Sequence, residues 1–448
     1  MFTENICIFW FRRDLRLDDN CGLSEALESG FPVLPLFIFD DDIVGELKKD
    51  DPRVSFIYDR LGTVFSILEK LHGCLCCKRG VPSVVWEGLV NEFNIRAVYA
   101  NEDYEPYAID RDAAVLSVLS KRGIPFNLCK DQVIFGKDDI MKPDGTPYTI
   151  FTPYRKKWIG TIARSHIAGC AVANSMEAVN VRGGALRPGA NYADAGLSFP
   201  LIEELGFIKS SIKVRDYDIS GEHLGIYAKE RDFPAMNSTS FLSVHLRFGA
   251  VSIRKIVSRV LSNESFLGEL IWREFFMQIL YHFPNVVTSN FKSRYNGIEW
   301  RNDPGDFERW KNGETGFPMV DAGMRELNAT GYMHNRTRMV AASFLCKDLL
   351  TDWRLGEAYF AEKLMDYELS SNNGNWQWSA GTGCDAAPYF RVFNPSEQLR
   401  KFDPQLEYVR KWIPELHTAS YPRPMVDHKA AKAIALETYR SAVQNAVR

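Results

Sequence analysis

The 448-residue chain has no cysteine framework, no standard phosphate loop, no membrane-length apolar run and no excess of basic charge. Each absence removes a class of function. Its 9 cysteines are odd in number, and the cluster CLCC (74–77) has no second Cys/His pair at zinc-site distance. Neither a disulfide scaffold nor a metal site is expected. No GxGxxG follows the first strand-like run and no GxxxxGK[ST] occurs, which removes both common phosphate loops. The longest apolar run, FPVLPLFIF (31–39), carries two prolines and is about half the length a bilayer requires. The opening MFTENICIFWFRRDLRL lacks a basic leader, apolar core and cleavage site, so a cytoplasmic protein without membrane contact is expected. A net charge of −3 excludes a generally basic nucleic-acid coat. Clustered Lys and Arg would still suffice for a local phosphate-binding patch.

What is present divides the chain into roughly two or three domains by length. Strand-like runs ICIFWF (6–11), PVLPLFIFD (32–40) and IRAVYA (95–100) alternate with helical patterns GLSEALESG and RVSFIYDRLGTVFSILEKL (53–71). That alternation predicts an α/β domain over 1–130 built on a doubly wound parallel sheet. Between 131 and 200 the pattern loosens: KPDGTPYTIFTPYRKKW (142–158) and VRGGALRPGANYADAGLSFP (181–200) read as a long connector. From 201 to 448 helical periods dominate, in VSIRKIVSRVLS (251–262), FLGELIWREFFMQILYHF (266–283), PMVDAGMRELN (318–328), HNRTRMVAASFLCKDLL (334–350) and GEAYFAEKLMD (356–366). Pro318 sits where a first-turn proline belongs. An all-α second domain is expected.

Three features of that half point to chemistry. In the first of them, Glu269, Trp272, Arg273 and Phe276 share one helical face by i, i+3, i+4, i+7 spacing. The bland reading is a surface ion pair, but Leu270, Ile271, Phe275 and Leu280 crowd the same helix, and a covered carboxylate needs a partner. The second is the face Asn335, Arg338, Met339 and Ala342, which suits close approach of a flat polar ligand, although spacing alone favours an ordinary helix-start amide. The third is SSNNGNWQWSAGTG (370–383), where Trp376 and Trp378 stand in the richest Asn, Gly and Ser stretch. Those residue types predict a tight loop, and a loop bent around indoles makes a pocket wall.

The motifs FWFRRDLRLDDN, RDFP (231–234), TSFLS (239–243), ELIWREFF, GFPMVDAGMREL, GYMHNRTRM and NNGNWQWSAGTGCDAAPYFRVFNP resemble the photolyase/cryptochrome family in order and spacing, most like class I cyclobutane pyrimidine dimer photolyases. The match runs from the first strand to about residue 415. The resemblance implies a U-shaped FAD in the helical domain, a DNA-repair flavoprotein working as a monomer on UV-damaged DNA, and no obligate protein partner. It assigns FAD contacts to Tyr227, Thr239, Ser240, Phe241, Leu242, Ser243, Arg273, Arg338, Asp366, Glu368 and Asn372. Glu368 departs from the family's usual Asp. Asn372 matches the residue facing the flavin's reactive nitrogen, where plant and animal photoreceptors carry Asp or Cys.

For the substrate, the resemblance implies that Glu269, Asn335 and Met339 contact the dimer between Trp272 and Trp378. Members acting on (6-4) lesions use histidine in that environment. Arg231, Arg336 and Arg391 match DNA-contacting positions, and Trp376, Trp353 and Trp300 match a chain that reduces FAD from the surface. In the front domain, DYEPYAIDRD (103–112) with Arg53 resembles members holding a deazaflavin or flavin antenna more than those holding folate. Asp103 and Glu105 are its implied contacts, and an empty antenna site stays open. The expected function is light-dependent dimer repair; the alternatives are a cryptochrome-type photoreceptor or a (6-4) photolyase.

Overall fold

A computed structural model describes residues 4–71, 73–163, 199–236 and 238–446. The expected connector stretch 181–200 lies, up to residue 198, outside the described residues. Five parallel strands, β1 (Asn5–Phe11), β2 (Val33–Asp40), β3 (Cys76–Gly80), β4 (Asn94–Asn101) and β5 (Phe126–Cys129), form one sheet in the order β3-β2-β1-β4-β5. Side chains alternate across a strand, and both faces here are apolar. Cys7, Phe9 and Phe11 of β1 enter one core, with Val33, Phe37 and Phe39 of β2. Ile6, Ile8 and Trp10 enter the other, with Leu34, Leu36 and Ile38. Burial on two faces explains why these strands read as continuous apolar runs. β3 and β5 were not legible in the sequence. They are the sheet's edges, and CCKRG and FNLC keep polar residues there, as edge strands do. The CLCC cluster runs into β3, and the described cysteines are all free thiols.

The described residues fall into two compact units. The first gathers those within Met1–Asp139, Trp158–Tyr217 and Leu242–Ser262; the second gathers those within Ile140–Lys157, Asp218–Phe241 and Asn263–Arg448. Residues 242–262, which include the helix expected within 251–262 as Ile253–Val260, therefore pack with the sheet rather than with the helices. Arg254 on this segment explains it: its guanidinium reaches Asp19 at 3.0 Å and Asp131 at 2.8 Å. Arg16 meets the same Asp131 at 2.8 Å. The carboxyl of Asp131 is buried, which pushes its pKa up, but Arg16 and Arg254 outweigh burial and hold it below the usual range.

The second unit is helical and its core is aromatic. Trp310, Phe317, Phe344, Trp353, Phe360 and Trp376 share one buried cluster. The helices that matter for the site are Glu264–His282, Pro318–Thr330, Asn335–Ser343, Trp353–Lys363, Leu369–Ala380 and His428–Asn445. Among the described residues, no helix is long and apolar enough to cross a membrane, and no cluster of side chains could hold a metal ion.

Candidate functional site in the helical unit

The stretch expected to be a loop is a helix, Leu369–Ala380. Propensity loses here because tertiary partners satisfy the polar side chains. The amides of Asn373 and Gln377 both donate to the Val286 carbonyl at 3.0 Å, while Gln377 Oε1 accepts from the Phe291 amide at 2.9 Å. The glycines serve close approach. A Cβ on Gly374 would overlap the Phe276 ring, and one on Gly356 of the neighbouring helix would overlap Trp376. The helix ends at Gly381, whose φ of +87° is the left-handed cap that glycine supplies at least strain.

Helix Glu264–His282, helix Asn335–Ser343 and helix Leu369–Ala380 enclose a cavity of about 370 Å3 together with helix Trp353–Lys363 and the Leu364–Glu368 turn. That volume lies in the range of small-molecule sites. The first helix brings Glu269, Trp272, Arg273 and Phe276 to the wall, as the spacing predicted. The second brings Asn335, Arg338, Met339 and Ala342. Asn335 is not the cap of its helix. His334 is, with Nδ1 accepting from the Arg336 amide at 3.1 Å, which frees the Asn335 side chain to project outward 3.8 Å from the Met339 sulfur. Burial pushes the His334 pKa down to about 4, so the capping ring is neutral at neutral pH.

Three arginine–carboxylate pairs ring the cavity. Arg231 meets Glu269 at 2.7 Å, Arg338 meets Asp366 at 3.0 Å, and Arg273 meets Glu368 at 3.3 Å. The bland reading, a surface pair between Glu269 and Arg273, thus gives way to partners from elsewhere in the chain. Glu368 also accepts from Ser371 Oγ at 3.0 Å, so each of its two carboxylate oxygens is held. Asn372 donates its amide to the Glu357 carbonyl at 3.0 Å. Glu357 itself has its pKa raised to about 7, chiefly by burial.

Aromatic walls complete the site. Trp272 stacks on Phe151 with centroids 3.6 Å apart and planes 7° apart. Phe151 starts the helix Phe151–Ile162 inside the expected connector, and nothing in its local sequence pointed to this role. Trp376 is buried in the wall against Phe360, at 4.9 Å. Ser371, Asn375 and Ser379 also line the cavity and were missed. Their spacing with Glu368, Asn372 and Trp378 traces one helical face, visible only once the segment is known to be helical.

Other assigned residues stand apart from the cavity wall. Tyr227 packs on Phe266 at 4.9 Å, and Phe241 adopts φ +50° within the Thr239–Ser243 segment, but neither Tyr227 nor Thr239, Ser240 or Phe241 lines the cavity. Leu242 and Ser243 open the helix Leu242–Arg247 of the sheet-containing unit. Trp353 is buried with Nε1 donating to Asn290 at 2.8 Å, and Trp300 packs on Tyr439 at 5.8 Å. Among the described residues the ring partners of Trp376 are Phe360 and Trp310, not Trp353. Arg231 lines the cavity. Arg336 pairs with Asp232 at 2.8 Å and lies over the Phe402 ring, and Arg391 is exposed. In the first unit, Arg13 binds Asp103 at 3.1 Å and Glu105 at 3.0 Å, while Arg53 pairs with Asp51 at 2.7 Å. The space beside Asp103 is about 10 Å3, the scale of one water. Neither Arg53 nor Glu105 lines that space.

Comparison with known proteins places this geometry. Residues 7–170 match the family model described as DNA photolyase, and residues 266–420 match the FAD binding domain of DNA photolyase. The deoxyribodipyrimidine photo-lyase of Halobacterium salinarum is 36% identical over 97% of this chain and 99% of its own length. An archaeal photolyase from Sulfolobus tokodaii, solved with two FAD molecules, is 32% identical with a TM-score of 0.80, covering 98% of this chain and 100% of that one. A bacterial class III photolyase from Agrobacterium tumefaciens is 30% identical with a TM-score of 0.79, covering 99% of each chain. The cavity suits a flavin ring on its own terms. Arg273 and Arg338 offer donors and Asp366 and Glu368 acceptors for the alternating N–H and C=O edge of such a ring, while Ala342, Ser371 and Ser379 are small enough to leave its plane room. The helical unit is an FAD-binding domain, and the chain belongs to the DNA photolyase family.

Proposed function

We propose that the chain repairs cyclobutane pyrimidine dimers in DNA in a light-dependent reaction. The observation that carries this reading is one cavity wall that presents Glu269, Trp272, Asn335, Met339 and Trp378 together. The names of the relatives support the same substrate class. Arg273, Arg338, Asp366 and Glu368 would hold FAD, which when bound and reduced would supply light-driven electron chemistry for opening the cyclobutane ring. The protein's own groups do the rest.

A dimer inside a duplex is out of reach, so the damaged pair has to leave the stack; photolyases are among the enzymes known to act on flipped bases. Trp272, braced by Phe151, and Trp378 offer flat faces to the extruded bases, where stacking contributes about 1–3 kcal/mol per base. The Glu269 carboxyl, held by Arg231, stands at the mouth with 42% of its side chain exposed, within reach of a pyrimidine edge. The carboxylate accepts there from a pyrimidine N–H, and the Arg231 guanidinium beside it offers positive charge where negative charge develops on the carbonyls. Asn335 supplies the second polar contact and Met339 an adaptable apolar one. Arg336 and Arg391 anchor backbone phosphates, which makes binding salt-sensitive. Trp376, Trp353 and Trp300 act as the donors that return oxidised FAD to its reduced form.

A (6-4) activity is less well supported, because no histidine lines the cavity among the described residues and the neighbouring His334 is engaged as a helix cap. A signalling role without repair is opposed by Asn372 at the position where photoreceptors carry Asp or Cys. Purified chain loaded with reduced FAD should restore a dimer-containing oligonucleotide in blue light and leave it unchanged in darkness. Survival of the dimers under the lamp would remove the reading, and turnover of a (6-4) oligonucleotide instead would move it to the alternative.

A further inference from the structure

One buried cation in the helical unit takes no part in the site described above. Lys347 is 1% exposed, and among the described residues its ammonium meets no carboxylate. Its partners are main-chain oxygens: Ala380 O at 2.7 Å and Tyr389 O at 3.3 Å. The Tyr439 hydroxyl donates to the same Ala380 carbonyl at 2.8 Å, and Nζ lies 3.7 Å from the Tyr439 ring centroid.

Local backbone explains how a lysine comes to point inward. After Ser343 the α-helix widens into a π turn over Phe344–Asp348, with the Leu349 amide donating to Phe344 O at 3.1 Å. One extra residue in the turn rotates the following side chains, and such bulges concentrate at functional places. The rotation buries Lys347 and its neighbour Asp348 alike. Asp348 is matched by His428 at 2.5 Å, which leaves Lys347 facing the carbonyls.

The position of those carbonyls is what gives the contact a function. Ala380 ends the helix that carries Asn372, Asn375, Trp376, Trp378 and Ser379 to the cavity. The last carbonyls of a helix lack intrahelical donors and sit at the negative end of its dipole. Tyr389 belongs to the loop that follows, next to exposed Phe390 and Arg391. We propose that Lys347 is a positioning residue, an internal pin whose ammonium fastens the end of the cavity helix to the 381–391 loop. That the loop meets damaged DNA rests on the function proposed above; the pin itself does not.

Charge strengthens such bonds about twofold over neutral ones. Burial pushes the Lys347 pKa down to about 7, with Cys346 opposing. The pin therefore tightens when protonated below that pH and slackens as pH rises through it. Other titratable or charged groups packed nearby are Cys346 on its own segment, Tyr439 and His428 on the last helix, Asp348, Tyr295 and Asp352. Lys292, Cys384 and Asp385 stand at the start of the loop. Any of these groups that titrates in the same range would imitate the effect, Lys292 included since burial lowers its pKa, so the test has to separate them from Lys347.

The experiment follows trypsin cleavage after Arg391 in the DNA-free chain, by mass spectrometry, from pH 6 to 9. Each rate is divided by that of an unstructured peptide spanning 384–398 at the same pH. In the wild-type chain the normalised rate should rise about fivefold across the range. K347M should cleave at the high level throughout, with no pH dependence. A pH response that persists in K347M would assign the effect to another group and overturn the proposal, as would a flat wild-type profile. Should K347M fail to fold, the wild-type profile and H428N decide alone, since H428N should keep the rise. A parallel titration with a dimer-containing oligonucleotide should show about fivefold weaker binding for K347M. A wild-type chain that binds no such oligonucleotide, yet shows the cleavage profile, keeps the pin and sinks the repair function instead.

Discussion

Arginine–carboxylate pairs appear in both units, and the units use them oppositely. Around Asp131 the groups interlock: Arg16 and Arg254 converge on one buried carboxylate, Arg254 extends to Asp19, and the space left beside them is about 10 Å3. Around the helical cavity each arginine takes a separate carboxylate, and the three pairs stand apart around about 370 Å3. The first arrangement sits at the end of a parallel sheet whose strand order reverses between β1 and β4, a place where open α/β folds bind ligands. Here its charged groups pair with one another. In the second, side chains that already hold a partner still expose edges to a guest. Pairing is therefore no guide to function by itself; what separates structure from site is whether the pairs close on each other or around a void.

Breaking the closed arrangement should have the largest effect. Asp131→Ala leaves Arg16 and Arg254 facing an uncompensated hole, and removing one partner of a buried ion group costs about 3–5 kcal/mol. Denaturant unfolding should show this as a lower midpoint. Because the carboxyl of Asp131 is held below its unfolded range, its stabilisation is present above the unfolded pKa and is lost as pH falls through the folded one. The wild-type chain should therefore lose stability toward acid more steeply than the variant. An unchanged midpoint would mean that the network is decorative. At the open cavity the same kind of removal should spare the fold and hit the reaction. Glu269→Gln should keep FAD and shift stability by less than about 1 kcal/mol, since the Arg231 pair is partly exposed. Repair yield should fall about a hundredfold, the scale of losing one donor or acceptor at developing charge. Loss of bound flavin in this variant would recast Glu269 as structural.

The contrast was only half legible in the chain. β1, β2 and β4 announce themselves because both faces are buried, and the Glu269 and Asn335 faces because helical spacing gathers unlike polar groups among apolar ones. Edge strands β3 and β5 did not, having one neighbour each and little need for apolar side chains. The 369–380 helix was hidden for a different reason: its Asn and Gln side chains are paid for by carbonyls some ninety residues earlier in the chain, such as Val286 O. Phe151 behind Trp272 is likewise a long-range fact. Family motifs assigned the cavity residues, but neither motif nor spacing could show that Arg231, rather than Arg273, holds Glu269.

The smallest expected effect lies just behind the open cavity and tests whether its wall tolerates charge. Glu357 carries Asn372 on its carbonyl at 3.0 Å and meets the Asn373 amide through Oε1 at 3.4 Å, but Arg354, the cation that favours its ionised form, does not offset burial. Its pKa is therefore raised to about 7. A raised carboxyl binds its proton more tightly in the fold than in the unfolded chain, so this contribution to stability is full below the unfolded pKa. It declines as pH climbs to about 7 and is flat above that. Glu357→Gln keeps an oxygen for Asn373 and removes the titration. At pH 5 the variant and wild type should differ little; at pH 8 the variant should be more stable by about 2 kcal/mol, a partial allowance for the residue's incomplete burial. Thermal unfolding at the two pH values measures it. Equal shifts at both would place the carboxylate in contact with water, and the wall behind Asn372 would then be as open as the mouth at Glu269.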